Sequence, residues 1–263
     1  MATDRSPVRI DPSGLDLGDR VLPLLAGEVH YFQHHPGDWP RLLDGVVDLG
    51  LGLVSTYVPW GVHEVEARRF DFGDKRRRLD IDRFISLAEE RELFVVLRPG
   101  PHVNAELNWL GFPERIFRDP KMLARTPRGN PLWLPLLPRP MPIPSYAAPR
   151  FLEETERWLS AVAERARDRF WPRGHVVMVQ LDNEAPLIFR DGPFDQDYSP
   201  SARDAFRLFL ERRGREEEEP PTAFRATSPA ELRLYFDWID FRTDIFRNAL
   251  SRFRECLEAG GAE

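Results

Sequence analysis

An alternation of apolar runs with amphipathic helical patterns leaves few folds open to this chain. Strand-like runs and helical patterns take turns, starting in order at Val21, Asp38, Leu51, Asp80, Leu93, Pro149 and His175. Strands that are apolar throughout are typical of a sheet buried on both faces. Strand and helix in alternation predict βαβ units and therefore a parallel sheet.

Two architectures are built from such units, the doubly wound sheet and the (β/α) barrel. The sequence has neither the GxGxxG of a dinucleotide-binding sheet nor a GxxxxGK phosphate loop. Polar and aromatic residues instead follow every predicted strand, at the ends where barrel enzymes build their active sites. These residues are Glu28, His30 and Tyr31, then Tyr57, Trp60, His63 and Glu64, then Arg98, His102, Asn104 and Glu106, then Asp182, Asn183 and Glu184. The pattern predicts an α/β chain with the topology of a TIM barrel.

The number of units indicates a partial barrel. About four β/α units are visible, whereas a closed barrel has eight. We therefore expect only about the first half of a (β/α)8 TIM barrel, forming one partial catalytic domain over residues 1–263. Within it, residues 1–20 are a lead-in, residues 99–149 form a long proline-rich active-site loop, and residues 185–263 form a helical region after strand four.

Charge and cysteine content exclude several classes of function. The 37 basic and 43 acidic residues give a net charge of −6, so neither nucleic acid nor a membrane is an expected partner. Cys256 is the only cysteine, which excludes an internal disulfide scaffold. No apolar run approaches the roughly 20 residues of a membrane span and no signal peptide is visible, so a cytoplasmic location is expected. No metal-ligand spacing such as HExxH occurs, and neither a metal nor another cofactor is expected.

The segment VVMVQLDNE, which ends at Glu184, carries the strongest chemical signal. A glutamic acid after a barrel strand suits glycoside hydrolysis, in which it protonates the leaving oxygen and later deprotonates water. Such a group needs a raised pKa to stay protonated at neutral pH. The Asn183 amide can donate a hydrogen bond to a sugar 2-hydroxyl. Tyr57, Trp60 and Trp109 are candidates for aromatic faces that pack on the sugar ring.

Three segments in order resemble glycoside hydrolase family 35, the β-galactosidases. The first, GEVHYFQHHPGDWPRLLDGVVDLGLGLVSTYVPWGVHEVEARRFDFG, resembles the opening of that family's catalytic domain. FVVLRPGPHVNAELNWLGFPERI resembles its third-strand segment, and VVMVQLDNE resembles its fourth strand. The resemblance runs from about Gly27 to Glu184. The helical region up to Gly260 looks more like the related family 42 β-galactosidases.

The resemblance implies a role for each matching residue and a β-galactoside as substrate. Glu184 matches the acid/base of a retaining mechanism, and Asn183 matches the asparagine that precedes it. The substrate-binding positions that follow from the resemblance are Tyr57, Asn104, Ala105, Glu106 and Asn183. Glu28 and His30 match a segment close to the floor of the site, and Trp60 is a further candidate for that floor.

Several positions depart from the family pattern. Asn104 stands where the family usually has cysteine, Leu107 where it has tryptophan, His102 where it has tyrosine, and Asp182 where it has glutamate. These positions line the sugar pocket of the family, so specificity for galactose stays open. The family's nucleophile is a glutamate on the seventh strand, and we expect it on a C-terminal half that this chain does not include. Glu28, Glu64 and Glu106 are weaker candidates for an internal nucleophile.

A second hypothesis is a non-catalytic truncated barrel that acts as a carbohydrate-binding or assembly module. Half a barrel exposes two sheet edges, so self-association into a homo-oligomer is expected. Structural roles also compete with functional ones at single residues. His30 and His63 are as well explained by a structural role as by a functional one, and Trp238 is more easily explained as core.

Overall fold

The computed structural model describes residues 8–135, 140–185, 192–216, 218–224 and 227–262. The chain divides into two compact units. The first unit comprises Met1–Gly111, Trp158–Asn183 and Glu255–Glu263, and the second comprises Phe112–Arg157 and Glu184–Arg254.

Short strands and longer helices make up the described elements. The strands are β1 (Arg9–Asp11), β2 (Gly14–Asp16), β3 (Val21–Leu22), β4 (Ala26–Glu28), β5 (Leu53–Tyr57), β6 (Glu64–Glu66), β7 (Arg69–Phe70), β8 (Phe94–Gly100), β9 (Trp133–Leu134), β10 (Met141–Pro142) and β11 (Val176–Leu181). The helices are α1 (Trp39–Asp48), α2 (Trp60–His63), α3 (Ile81–Glu89), α4 (Glu114–Arg118), α5 (Pro149–Ala166), α6 (Pro200–Arg212) and α7 (Pro229–Ala259).

A four-stranded parallel sheet forms the centre of the first unit. Its strands lie in the order β4, β5, β8 and β11, so strands that follow one another along the chain are neighbours in space. The connections between them contain α1, α3 and α5 in turn. β5 is buried along its whole length, as a sheet covered on both faces requires. The prediction of a parallel α/β sheet is confirmed, and closure into part of a barrel stays a prediction.

The first predicted strand was wrong in its extent. The apolar run from Val21 is broken at Pro23, which has no N–H to donate to a strand ladder. The residues before it, Val21–Leu22, pair antiparallel with β2, whereas Ala26–Glu28 pairs parallel with β5. Asp38 is the N-cap residue of α1, as its position at the start of the helical pattern predicts, but its side chain makes no capping bond.

The lead-in residues help to build the core of the first unit. β1, β2 and β3 form an antiparallel sheet. Leu15 and Leu17, both buried, pack with the apolar side chains of Leu53, Phe94 and Val177. These three side chains lie at or near the starts of β5, β8 and β11, so the lead-in covers the amino ends of the parallel strands.

In the second unit, α6 and α7 share an aromatic core. Phe206, Phe209 and Leu210 from α6 pack with Trp238 and Phe241 from α7. The expectation that Trp238 is a core residue is confirmed, since it is 2% exposed. Part of the proline-rich segment 99–149 is also packed, because Phe112, Phe117, Leu132 and Ile143 are buried. Residues 136–139 and 186–191 fall outside the described part of the chain.

His63 has a structural environment. Its ring is fully buried, and Tyr31 Oη lies 2.6 Å from Nε2 while the carbonyl oxygen of Asp71 lies 2.8 Å from Nδ1. Since a carbonyl can only accept, Nδ1 carries the proton and donates to it, and Nε2 accepts from Tyr31. Burial lowers the pKa of His63 to about 4. The imidazole is therefore neutral at neutral pH.

This lowered pKa predicts a loss of stability in acid. An unfolded histidine binds a proton below its ordinary pKa of about 6.5, whereas folded His63 binds one only below about 4. The free energy of unfolding therefore falls as the pH drops from about 6.5 towards 4, by up to roughly 3 kcal/mol from this group. Urea unfolding of wild type and His63→Gln at several pH values should show a smaller acid loss in the variant. The exposed His34, changed to Gln, is the control and should keep the wild-type slope. Equal slopes for wild type and His63→Gln would contradict this account.

Candidate active site

Residues at the carboxyl ends of the four parallel strands meet at one edge of the sheet. Glu28 is the last residue of β4, and Tyr57 is the last residue of β5. Tyr57 pairs with Arg98 of β8, and Leu181 of β11 pairs with Gly100. This is the edge at which parallel α/β enzymes place their functional groups.

Arg98 contacts side chains from several strands at this edge. One end of its guanidinium forms an ion pair with Glu28, and its Nη2 donates to Asn183 Oδ1 at 2.7 Å. The guanidinium carbon lies 3.9 Å from the centre of the Tyr57 ring, a close cation–π contact. A planar fork with several fixed donors can hold an acid, an amide and a ring together, which lysine cannot do. Arg98 therefore links strands β4, β5 and β11.

Asn183 is held through both its main chain and its side chain. Its N–H donates to the carbonyl oxygen of His102 at 2.8 Å, and its Nδ2 donates to the carbonyl oxygen of Val103 at 3.3 Å. Gln180 Nε2 donates to Asn183 Oδ1 at 3.2 Å, beside the bond from Arg98. These partners orient the Asn183 amide, with its Oδ1 towards Arg98 and its Nδ2 towards the carbonyl oxygen of Val103. A second N–H on Nδ2 remains beyond the one given to Val103, because a primary amide has two.

The residues after β8 form a turn with unusual backbone angles. Asn104, Ala105 and Glu106 have φ values of 54°, 51° and 53°, in the left-handed region. This conformation costs non-glycine residues roughly 1–2 kcal/mol each and is concentrated at functional sites. The turn is closed by Val103 N, which donates to the Leu110 carbonyl at 3.1 Å. Glu106 is exposed, and its charge acts on His30.

His30 lies beside Tyr57 at the same edge of the sheet. Its ring centre is 4.9 Å from that of Tyr57. Burial lowers the pKa of His30, while the negative charge of Glu28 acts to raise it. The ring is therefore uncharged at neutral pH and offers hydrogen-bonding nitrogens. Its Nδ1 is buried and has no hydrogen-bond partner among the described residues.

Glu184 comes directly after the anchored Asn183 and begins the second segment of the second unit. Its side chain is exposed. Its φ is 54° and that of Asp182 is 58°, so two residues of the Asp182–Glu184 stretch are left-handed. The strand therefore ends in a sharp turn whose middle residue is held by several hydrogen bonds within the first unit.

Trp60 does not lie with the other predicted site residues. It is fully buried, and its ring is parallel to that of Trp158, with 6.4 Å between centroids and 2° between planes. A ring that is 0% exposed offers no face to a sugar, so the structure places Trp60 in the core. Trp109 is half-buried within the turn region that follows β8.

Of the predicted site residues, Glu28, Tyr57, His30 and Asn183 are brought together around Arg98, a strand-end residue for which no role was predicted. Its signal in the sequence was a single cation in the apolar run LFVVLRPGP. A charge within an otherwise buried strand requires a partner, and that requirement could have identified it. Among the described residues, no three His, Cys, Asp or Glu side chains are grouped so as to hold a metal. Within the same residues, no helix is both long and apolar enough to cross a membrane.

Comparisons with known proteins bear on this arrangement. Residues 15–132 match the family model for glycosyl hydrolases family 35. The chain is 30% identical over 197 residues to a beta-1,2-glucosyltransferase of Ignavibacterium album, covering 72% of the chain and 26% of that protein. It is 37% identical over 180 residues to beta-galactosidase 14 of Arabidopsis thaliana, covering 67% of the chain and 18% of that protein.

A solved structure shares the fold. The β-galactosidase of the haloarchaeon Halorubrum lacusprofundi matches 88% of the chain with a TM-score of 0.62 at 22% identity, over 34% of its own length. The chain thus spans about a quarter or less of the two curated relatives and about a third of that structure. The matches relate the chain to family 35 and to β-galactosidases, as the sequence resemblance implied. The resemblance of the later helices to family 42 stays a prediction.

Proposed function

We propose that this chain, matched to glycosyl hydrolases family 35 over residues 15–132, carries the acid/base side of a retaining glycosidase site. Its substrates are terminal β-D-galactosyl residues or closely related β-glycosyl residues, and Glu184 is the general acid/base. The observation that carries this proposal is the anchoring of Asn183 at the carboxyl edge of the sheet, through Arg98, His102 and Val103. That anchoring sets where the next residue, Glu184, leaves the sheet.

The chemistry follows from the two neighbouring side chains. The carboxyl group of Glu184 donates its proton to the glycosidic oxygen as the bond to the sugar breaks. As a carboxylate, it then removes a proton from the water that releases the sugar. The second N–H of Asn183 Nδ2 donates to the sugar 2-hydroxyl, a hydrogen bond that strengthens in the transition state.

Sugar binding is assigned to the turn after β8 and to the residues around Arg98. Asn104, Ala105 and Glu106 present polar groups from a preformed left-handed turn, so little backbone ordering is needed on binding. Tyr57, held beneath Arg98, and the uncharged His30 complete the floor. The relatives act on glucosyl as well as galactosyl groups by their names. The choice between the two sugars is therefore part of what the experiment tests.

A retaining mechanism also needs a nucleophilic carboxylate about 5–5.5 Å from the acid/base. Glu28 is ion-paired with Arg98, which stabilises its negative charge and makes it a poor nucleophile. We therefore assign the nucleophile to a glutamate beyond the four described parallel strands, in line with the family resemblance. A cytoplasmic location and a homo-oligomer stay predictions.

The proposal is tested with 4-nitrophenyl glycosides and the full-length protein. We expect hydrolysis of the β-galactoside or the β-glucoside but not of the matched α-galactoside. Proton NMR of the first-formed sugar should show the β-anomer, as retention requires. Formation of the α-anomer from a β-glycoside would contradict the retaining mechanism. Saturable binding of β-galactosides without any hydrolysis would favour the alternative of a carbohydrate-binding module.

A further inference from the structure

The second unit contains a cavity with no part in the proposed glycosidase site. Its volume is about 820 Å³, within the range of roughly 300–1,000 Å³ typical of small-ligand sites. Its walls combine prolines and Leu123 with five cations, and no carboxylate is among the described residues that line it. The five cations are Lys121, Arg125, Arg128, Arg150 and Arg203.

The charge of this cavity is opposite to that of the chain. The whole chain carries a net charge of −6, yet every charged residue among the described residues that line this cavity is a cation. Concave, partly apolar walls focus the field of such charges and raise the local concentration of anions. A solvated basic patch on a convex surface would lack this focusing.

Only part of the positive charge is neutralised within the protein. Arg150 pairs with Asp119 at 2.8 Å, and Arg203 pairs with Glu219 at 2.9 Å. The side chains of Lys121, Arg125 and Arg128 have no carboxylate partner among the described residues. About three positive charges are therefore left for a ligand.

Arg125 is held in place while it keeps its full charge. Its Nη1 donates to the carbonyl oxygen of Gly129 at 3.1 Å, and its Nη2 donates to that of Pro120 at 2.9 Å. Its backbone N–H donates to Asp197 Oδ1 at 3.0 Å. A guanidinium fixed by neutral carbonyls loses less rotamer entropy when it binds an anion.

The floor of the cavity adds favourable polarity. Ser199 caps α6, a 13-residue helix whose positive dipole end opens there, by accepting from Ala202 N–H at 3.2 Å. Asp197 is buried and receives hydrogen bonds from Ser145 and from two residues that line the cavity, Arg125 and Ser199. Burial raises the pKa of Asp197, while these hydrogen bonds act in the opposite direction.

We propose that this cavity binds a small organic phosphate or sulfate monoester. The tetrahedral oxyanion would be held by Lys121, Arg125 and Arg128, since arginine forks and lysine ammonium groups are the usual partners of such anions. The proline and leucine walls would contact the organic part. The cavity is far larger than an inorganic anion, which favours an ester over free phosphate.

Isothermal titration calorimetry with the full chain tests the proposal. The probes are glucose 6-phosphate, galactose 6-sulfate, inorganic phosphate and uncharged glucose, at about 50 mM ionic strength to limit screening. We expect one saturable site for at least one ester, with a Kd below about 1 mM, weaker binding of inorganic phosphate, and none of glucose.

A pair of charge-matched double variants locates the site. Lys121→Gln with Arg128→Gln removes two exposed cations of the cavity, and we expect ester binding to weaken about tenfold or more. Arg77→Gln with Arg78→Gln removes two exposed cations of the first unit and should leave binding unchanged. Circular dichroism shows whether each variant is folded. Equal weakening in both variants, absence of saturable ester binding to the folded wild type, or glucose binding as tight as that of the esters would overturn the proposal.

Discussion

Replacement of Glu184 by glutamine in the full-length protein is expected to lower kcat/KM for an alkyl β-glycoside by about 10²–10⁴-fold. An alkoxide leaves only if a proton is supplied as the bond breaks, and glutamine cannot supply it. A 2,4-dinitrophenyl glycoside carries a leaving group that needs no proton. We expect the first, glycosylation step on that substrate to be little changed, so that the loss depends on the leaving group.

This dependence separates a catalytic role from a structural one. A variant that merely perturbs the fold would lose kcat/KM on the two substrates by similar factors. Glu106→Gln is the matched control, because it removes another exposed carboxylate that we assign to sugar binding. It should raise KM for both substrates alike. Equal losses on the two substrates for Glu184→Gln would refute the assignment of Glu184 as general acid.

Replacement of Arg98 by methionine is the second prediction with a large expected effect. It would leave Glu28 without its cation, remove one of the bonds that hold Asn183, and expose the face of Tyr57. We expect unfolding to require roughly 1–3 kcal/mol less. We expect kcat/KM to fall by about 10²-fold, because a small misplacement of Asn183–Glu184 is costly in the transition state.

Arg91→Met is a close control for Arg98→Met. Arg91 is also ion-paired to a carboxylate, Asp44, at 2.7 Å, and its side chain is 18% exposed against 16% for Arg98. The two variants should lose similar stability in urea unfolding, while only Arg98→Met loses activity. Arg98→Lys keeps the charge beside Glu28 but cannot also bridge to Asn183, so we expect it to restore stability more than kcat. If Arg98→Met and Arg91→Met kept the same activity, Arg98 would have no positioning role.

Much of the sheet could be predicted because periodicity and burial point the same way. β5, β8 and β11 each lie inside a predicted apolar run, and Asp80 caps α3 by accepting from Arg83 N–H. The first strand failed because apolarity extends across Pro23, whereas hydrogen-bonded pairing does not. Which sheet each half of this apolar run joins depends on contacts with residues that are distant in the sequence.

The site shows a similar division. Polar residues at strand ends correctly indicated the edge of the sheet at which these residues meet, because parallel strands align their carboxyl ends. The Trp60 prediction failed because an aromatic residue after a strand can turn inwards, and nothing local to Trp60 reveals that Trp158 lies parallel to it. No role was predicted for Arg98 because its partners, Glu28 and Asn183, are 70 and 85 positions away.

The most direct measurement of the central claim is chemical rescue of Glu184→Ala by azide, with 2,4-dinitrophenyl β-galactoside as substrate in the full-length protein. The alanine variant should still form a glycosyl-enzyme with this substrate but hydrolyse it slowly, because no base activates water. Azide needs no base, fits the space left by the carboxyl group, and attacks the face from which the leaving group departed. We predict a faster turnover with azide and β-galactosyl azide as the product by NMR. No acceleration, or an α-galactosyl azide, would contradict the assignment of Glu184 as the acid/base of a retaining mechanism.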